Sequence, residues 1–253
     1  MIEVKNIQKY FGENHVLKDV SFTFEQGKTN LIIGESGSGK TTLLKVLVGL
    51  YANDKGSVLF NGQDITKMSN KETRILRQDI GMLFQGGALY DYMTVEENIM
   101  FPLTMFTNKT DSEMRKRVNF CLKRVNLEGK NILMPSELSG GMKKRVAIAR
   151  AIVMQPKYLF CDEPNSGLDP KTAIIIDKLI KEITVEYDIT TVINTHDMNS
   201  VMEIGDKIIF LVEGKKIWEG TNTEILDTDD QMINDFVYSS ELFKKVKLAQ
   251  KKN

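Results

Sequence analysis

The chain reads as an α/β protein, with a parallel core sheet flanked by helices, antiparallel strands beside it and a helical lobe inserted midway. Three observations carry this reading. Short apolar runs rich in β-branched and aromatic residues, NLIIG (30–34), IGMLFQ (80–85), YLFCDE (158–163) and TTVINTH (190–196), alternate with helical patterns. Such alternation is the signature of parallel strands buried on both faces by crossover helices. KDVSFTFEQGK (18–28) alternates in polarity like a half-exposed strand, and KIIFLVEGKKIWEG (207–220) resembles a hairpin, so antiparallel strands join the architecture. From about 93 to 155 the pattern is mostly helical, without a strand of comparable strength, which makes this stretch the inserted lobe.

Length and charge frame these elements. A chain of 253 residues buries a sizeable core as one domain with a lobed insertion. Lys+Arg and Asp+Glu balance at 34 each, so no overall field draws the protein to nucleic acid or anionic lipid. The start, MIEVKNIQKYFGE, lacks the basic-then-apolar layout of a signal peptide, and no segment approaches an uncharged membrane span. A cytosolic location is expected. Cys121 and Cys161 fit a reducing compartment and sit in apolar stretches as small hydrophobes, without assigned chemistry.

Each of the four runs ends in glycine or a polar residue: Gly34, Gln85, Asp162 with Glu163, and His196. In open parallel sheets ligands bind beyond the carboxyl ends of the strands, so residues scattered in sequence are expected to converge on one site. GESGSGKT (34–41) matches the full phosphate-loop pattern with a strand before it and a helix after it, whose Leu43, Leu44, Leu47 and Val48 share one face. Glycines let such a loop wrap phosphates, and its backbone N–H groups and the helix start face their charge. Lys40 reaches the terminal phosphates and the Thr41 hydroxyl takes Mg²⁺, which sets the expected fold as that of a P-loop NTPase using ATP. In YLFCDE the neighbouring acids point to different faces, so Asp162 is read as the metal acid and Glu163 as the base for water. His196, at the end of the fourth run, is a candidate phosphate contact, with a buried structural histidine as the alternative; His15 lacks such placement and is read as structural.

A second glycine stretch, ELSGGMKK (137–144), places serine and two glycines before another helical pattern. Alone it reads as an N-cap or as a second anion cradle. At this point the chain resembles the ATP-binding cassette (ABC) family over about residues 1 to 225: LSGG (138–141) looks like that family's signature, Gln85 like its Q-loop, SGLD (166–169) like its D-loop and His196 like its switch histidine. The resemblance implies an ABC ATPase with its own ATP held by Phe11, Val16, Gly34, Glu35, Ser36, Gly37, Ser38, Gly39, Lys40, Thr41, Thr42 and Gln85. It implies that Mg²⁺ is held by Thr41, Gln85 and Asp162, and that Glu163 and His196 are catalytic. Leu138, Ser139, Gly140, Gly141 and Asp169 would serve the ATP of a second copy, so two chains arranged head to tail would form two composite sites. Phe11 is either the aromatic on adenine or a core residue.

Three positions depart from common family usage: Glu35 stands for proline, Met142 for glutamine and Asn165 for threonine. MLFQGGALY (82–90), LMPSELSGGM (133–142) and FPL (101–103) look like the ATPase subunits of phospholipid transporters that work with mammalian-cell-entry (MCE) domain proteins. The implied partners are a second copy, transmembrane permease subunits on the cytoplasmic face of the inner membrane and an MCE-domain lipid-binding protein, with no nucleic acid. Two rivals stand: a soluble cassette ATPase acting on DNA or the ribosome, which usually carries two cassettes or a long coiled coil, and a phosphate-loop kinase, which has no need of LSGG. Leu89, Tyr90, Met93, Phe101 and Leu103 form an apolar set after Gln85, either a partner site or the core of the helical lobe. The expected ATPase domain covers 1–228, followed at 229–253 by a helix with Met232, Ile233, Phe236 and Val237 at helical spacing and a basic tail. That tail is either solvated or a docking element.

Overall fold

A computed structural model describes residues 1–238; the basic segment KKVKLAQKKN (244–253) lies outside the described residues. Strands β1 (Ile2–Phe11) and β2 (Asn14–Phe24) pair antiparallel, and β4 (Lys55–Phe60) with β5 (Gln63–Asp64) extends this sheet in the order β2-β1-β4-β5. Between them run β3 (Thr29–Ile33) and α1 (Lys40–Leu47). After α2 (Asn70–Gln78) and β6 (Ile80–Leu83) come three successive helices, α3 (Val95–Phe106), α4 (Asp111–Arg124) and α5 (Gly140–Ile152). The chain then alternates through β7 (Tyr158–Asp162), α6 (Pro170–Glu186), β8 (Thr190–Asn194), α7 (Met198–Ile204) and the β9 (Lys207–Val212)–β10 (Lys215–Gly220) hairpin to α8 (Gln231–Val237).

The main sheet has the order β10-β9-β3-β8-β7-β6, with β9 through β6 parallel. The hairpin read from sequence therefore does not stand apart: β9 joins β3 in parallel and only β10 turns back. The separate antiparallel sheet is built from β1, β2, β4 and β5, of which sequence reading found only β2. In β1 the alternation is broken at Asn6, whose φ of 51° marks a bulge, so the period-two signal fails over its length.

The apolar runs are continuous because both faces of the main sheet are buried. Leu31, Ile33, Leu83, Leu159, Cys161 and Ile193 face a core shared with α3 to α7. Ile32, Tyr158, Phe160 and Val192, one residue out of step, face α1 and the antiparallel sheet. Helices α3 and α4 start at capping boxes, Thr94 with Glu97 and Thr110 with Glu113, which fixes where each begins. Among the described residues no helix is long and apolar enough to cross a membrane.

Candidate functional site

Adjacent parallel strands bring the four polar run-ends to one edge of the sheet. Gly34 follows β3 with φ 146°, and a Cβ there would meet the Leu211 carbonyl and stand 2.9 Å from Ser38 Oγ, so only glycine fits. Gly37 and Gly39 also hold left-handed backbone, at φ 84° and 102°, and Gly39 leads straight into α1 without a side-chain cap. The first N–H groups of such a helix have no partner within it and can donate to an anion held by the loop. Ser38 Oγ is buried without a hydrogen-bond partner, an unsatisfied polar atom inside a cradle shaped for oxygen-rich ligands. Lys40 folds back across the loop and donates to the carbonyls of Gly34 at 2.8 Å and Glu35 at 2.9 Å. Burial pulls its amine below the ordinary lysine range, while Glu163 and Asp162 oppose that shift.

At the end of β7, Asp162 accepts from Thr41 Oγ1 at 3.3 Å and from Asn194 Nδ2 at 3.1 Å. Glu163 lies one residue beyond in left-handed backbone, φ 47°, its N–H held by the Asn194 carbonyl at 3.0 Å. Its carboxylate spans two partners: Gln85 Nε2 donates to Oε2 at 3.1 Å, and His196 Nδ1 meets Oε1 at 3.0 Å. The His196 side chain is 57% exposed, so the buried structural histidine is set aside. Phe11 is 45% exposed at the end of β1, with Tyr51 against it edge-on and Lys9 over its ring, so it is not a core aromatic. Val16 is half-buried, its carbonyl 3.2 Å from where a Gly39 Cβ would stand. Glu35 and Ser36 are exposed on the loop. Thr42 is half-buried on α1.

The second cradle is built on α5. Ser139 caps the helix, its Oγ accepting from the Met142 N–H at 3.3 Å. Gly140 and Gly141 lie against the segment after β7: a Cβ would come 3.4 Å from Leu168 at the first and 2.6 Å from Thr172 at the second. Asp169 caps α6 through the Thr172 N–H at 3.0 Å, and hydrogen bonds from the Thr172 side chain and then its N–H hold the carboxyl below the usual range. Leu138 is buried in the core and can offer a ligand only its backbone. Among the described residues no hydrogen bond joins 138–142 to 34–42.

Sequence reading missed several polar supports. Asn194 is fully buried in β8 and reaches across to Asp162. Asn165 donates to Ser200 Oγ at 2.7 Å and to Asp177 Oδ2 at 3.3 Å, and Ser200 donates to the same Asp177 oxygen at 2.7 Å. This buried network ties the segment after β7 to α6 and to the helix following His196. Asn194 in β8 and Asp177 in α6 are each a polar residue in an otherwise apolar run, whereas Asn165 sits in a polar loop and gave no such signal.

The apolar set after Gln85 divides. Leu103 is buried and Leu89 packs against the main core, so the core reading holds for both. Tyr90 and Phe106, 36% and 42% exposed, instead line a groove of about 380 Å³ with Phe84, Phe101, Pro102 and Arg150. Asn98, fully buried, sets the loop's shape by accepting from the Tyr90 N–H and donating to the carbonyls of Tyr90, Met93 and Thr94.

A phosphate loop, an acidic strand end with its glutamine and histidine, and a second serine–glycine cradle on a helical lobe define a cassette ATPase. Residues 17–166 match the family profile described as ABC transporter, and the chain belongs to that family. It is an ATP-binding and ATP-hydrolysing subunit of a transporter. It is 38% identical over 237 residues to the intermembrane phospholipid transport system ATP-binding protein MlaF of Haemophilus influenzae, covering 94% of this chain and 90% of that one. It is 40% identical over 257 residues to the methionine import ATP-binding protein MetN of Campylobacter jejuni, covering 95% and 76%. The dimeric structure of MJ0796, a bacterial ABC transporter cassette, superposes with a TM-score of 0.80 at 35% identity, over 88% of this chain and 99% of that one. The same cassette has also been solved after hydrolysis, bound to ADP and Pi.

The Asp177 network gives a pH-dependent expectation. Burial pushes this carboxyl up to about 6, helped by Asp197 and Glu203 and opposed by hydrogen bonds from Ser200 and Asn165. Because the folded-state value exceeds that of the unfolded chain, ionising Asp177 destabilises the fold as pH rises from about 4 through about 6. Asp177→Asn removes that term and keeps a side-chain oxygen for the Ser200 and Asn165 donors. The variant is expected to gain about 2–3 kcal/mol on the native protein between pH 4 and 7, measured by urea unfolding. An unchanged difference across that range would contradict the raised value.

Proposed function

We propose that this chain is the ATPase subunit of a membrane phospholipid transporter, acting as a head-to-tail pair on the cytoplasmic face of the membrane. The observation that carries the catalytic part is the convergence of Gln85, at 3.1 Å, and His196, at 3.0 Å, on the Glu163 carboxylate beside the phosphate loop. ATP seats its phosphates in the loop, where Lys40 exchanges the Gly34 and Glu35 carbonyls for phosphate oxygens and Ser38 Oγ gains a partner. Phe11 and Val16 flank the base. The Thr41 hydroxyl, the Gln85 amide and the single Asp162 carboxylate suit Mg²⁺, which keeps waters and takes substrate phosphate oxygens to complete its shell. Bound there, Mg²⁺ would neutralise charge on the terminal phosphates.

Glu163, freed from His196 and Gln85, orients and polarises the attacking water, and His196 turns to the terminal phosphate. Ser139, Gly140 and Gly141 of one copy, with the Leu138 backbone and Asp169, close over the ATP of the other. The exposed apolar groove at Tyr90 and Phe106 suits a helix of the permease. Likeness to MlaF over nearly the whole chain, together with segments 82–90 and 133–142, favours phospholipid as cargo and an MCE-domain protein as a further partner. The comparable likeness to MetN supports a second cargo reading, methionine. The reconstituted complex in vesicles decides between them by movement of labelled phospholipid against uptake of labelled methionine.

Glu163→Gln is expected to keep ATP binding, lower turnover ~10²- to 10⁴-fold and accumulate an ATP-bound dimer; turnover near the native rate would refute the role given to Glu163. Ser139→Arg should leave ATP binding by the isolated chain intact while abolishing the closed dimer in size-exclusion chromatography. Loss of binding in the monomer would place LSGG at its own chain's site. Tyr90→Ser with Phe106→Asp should leave a folded, ATP-hydrolysing subunit that no longer co-purifies with its permease, and retained assembly would remove the groove as the docking site.

A further inference from the structure

Lys144 stands one turn into α5 from the signature, on the face shared with Gly141 and Ile148 that turns into the protein. It is only 6% exposed. A lysine so placed normally meets a carboxylate, because an unpaired buried ammonium is costly. Lys144 forms no carboxylate ion pair among the described residues. Its ammonium instead donates to two backbone oxygens, the Gln85 carbonyl in a close contact and the Glu163 carbonyl at 3.4 Å. Those carbonyls belong to the two residues whose side chains meet at 3.1 Å over the site. Burial draws the amine below the ordinary lysine range, with Cys161, Glu163 and Asp162 opposing.

The backbone it holds is under strain. Glu163 sits at φ 47°, a conformation that costs a side-chain-bearing residue of order 1 kcal/mol or more and persists only where the surroundings over-determine it. The Asn194 carbonyl holds its N–H at 3.0 Å, while its own carbonyl accepts from the Ser166 N–H at 3.2 Å and from Lys144. One residue of the signature helix thus fastens the strand end that bears the acid to the loop that bears the glutamine. Farther along α5, Arg150 continues the attachment, donating to the Gly87 carbonyl at 2.7 Å and the Ala88 carbonyl at 2.8 Å.

We infer that Lys144 is a positioning residue for hydrolysis: through the carbonyls of Gln85 and Glu163 it holds the base and the glutamine in register from the helix whose first turn faces the other copy's ATP. The inference rests on the role of Glu163 proposed above. It adds that engagement of Ser139 to Gly141 with a partner's nucleotide reaches the chain's own base along a few residues of one helix. A rigid helix, unlike a flexible loop, transmits a small displacement without dissipating it.

The test combines single and double substitutions in the full chain, reading steady-state ATPase kinetics, binding of a fluorescent ATP analogue and thermal stability. Lys144→Met keeps the length of the stem and removes the donors; it should lower kcat ~10- to 100-fold with KM and analogue binding within about threefold. Lys144→Gln, whose amide serves one carbonyl, should fall between. In the Glu163→Gln background the same change should add less than about twofold, because the group through which Lys144 acts is already disabled. Native-like turnover in Lys144→Met overturns the inference, as do losses that multiply in the double variant. If Lys144→Met does not fold, Lys144→Gln decides, and turnover within twofold of native overturns it. Failure of the Glu163 reading itself is seen separately, as normal turnover in Glu163→Gln alone.

Discussion

The site depends on the register of four neighbouring parallel strands. β8 lies between β3 and β7, pairing Asn194 with Ile32 on one side and Asp162 on the other, while β6 runs alongside β7. That register alone brings a loop after residue 33, a glutamine at 85, an acid pair at 162 and 163 and a histidine at 196 to the same edge. A slip of one residue in β7 would turn Asp162 toward the opposite face and bury Glu163. Two separate cores, one on each face of the sheet, hold the strands against such a slip, which is why large apolar side chains fill both faces of β7 and β8.

Much of this arrangement was legible in the sequence because each strand carried its own signal. The runs at 30–34, 80–85, 158–163 and 190–196 are β3, β6, β7 and β8, and the glycine pattern before α1 marks the phosphate loop without ambiguity. β1 and β4 escaped notice because bulges and glycine break their alternation, and a strand paired on both sides by backbone needs no strong pattern of its own. Asn194, Asp177 and Lys144 were passed over for a different reason. Each is polar inside an apolar stripe, and from one sequence such a residue reads as noise until a partner is seen. The split of the set at Leu89, Tyr90 and Leu103 was also hidden, since helical spacing cannot say which apolar residues lie under the surface and which on it.

The polar supports share a logic. Asn194 reaches the Asp162 carboxylate, Lys144 the Glu163 carbonyl and Asn165 the Asp197 carboxylate beside His196, and none of their own side chains lies exposed. Hydrogen bonds of this kind are strengthened by exclusion of water, and any one left unmade would leave a buried charge or amide without a partner. They therefore rigidify the strand ends. The segments expected to move, the phosphate loop with Lys40 and the exposed histidine, make contacts that phosphate oxygens or water can replace.

Ser139 carries one more consequence. Its hydroxyl already accepts the Met142 N–H to cap α5, yet a hydroxyl has a hydrogen and a second lone pair to spare. It can keep the helix capped and still donate to an oxyanion presented from outside. Aspartate in the place of Ser139 would cap equally well, but it has no proton to give at neutral pH and would repel a phosphate at that turn. The choice of serine at this turn thus combines two tasks that an aspartate cap cannot: stabilising its own helix, and keeping a hydroxyl proton free for negative charge brought from outside.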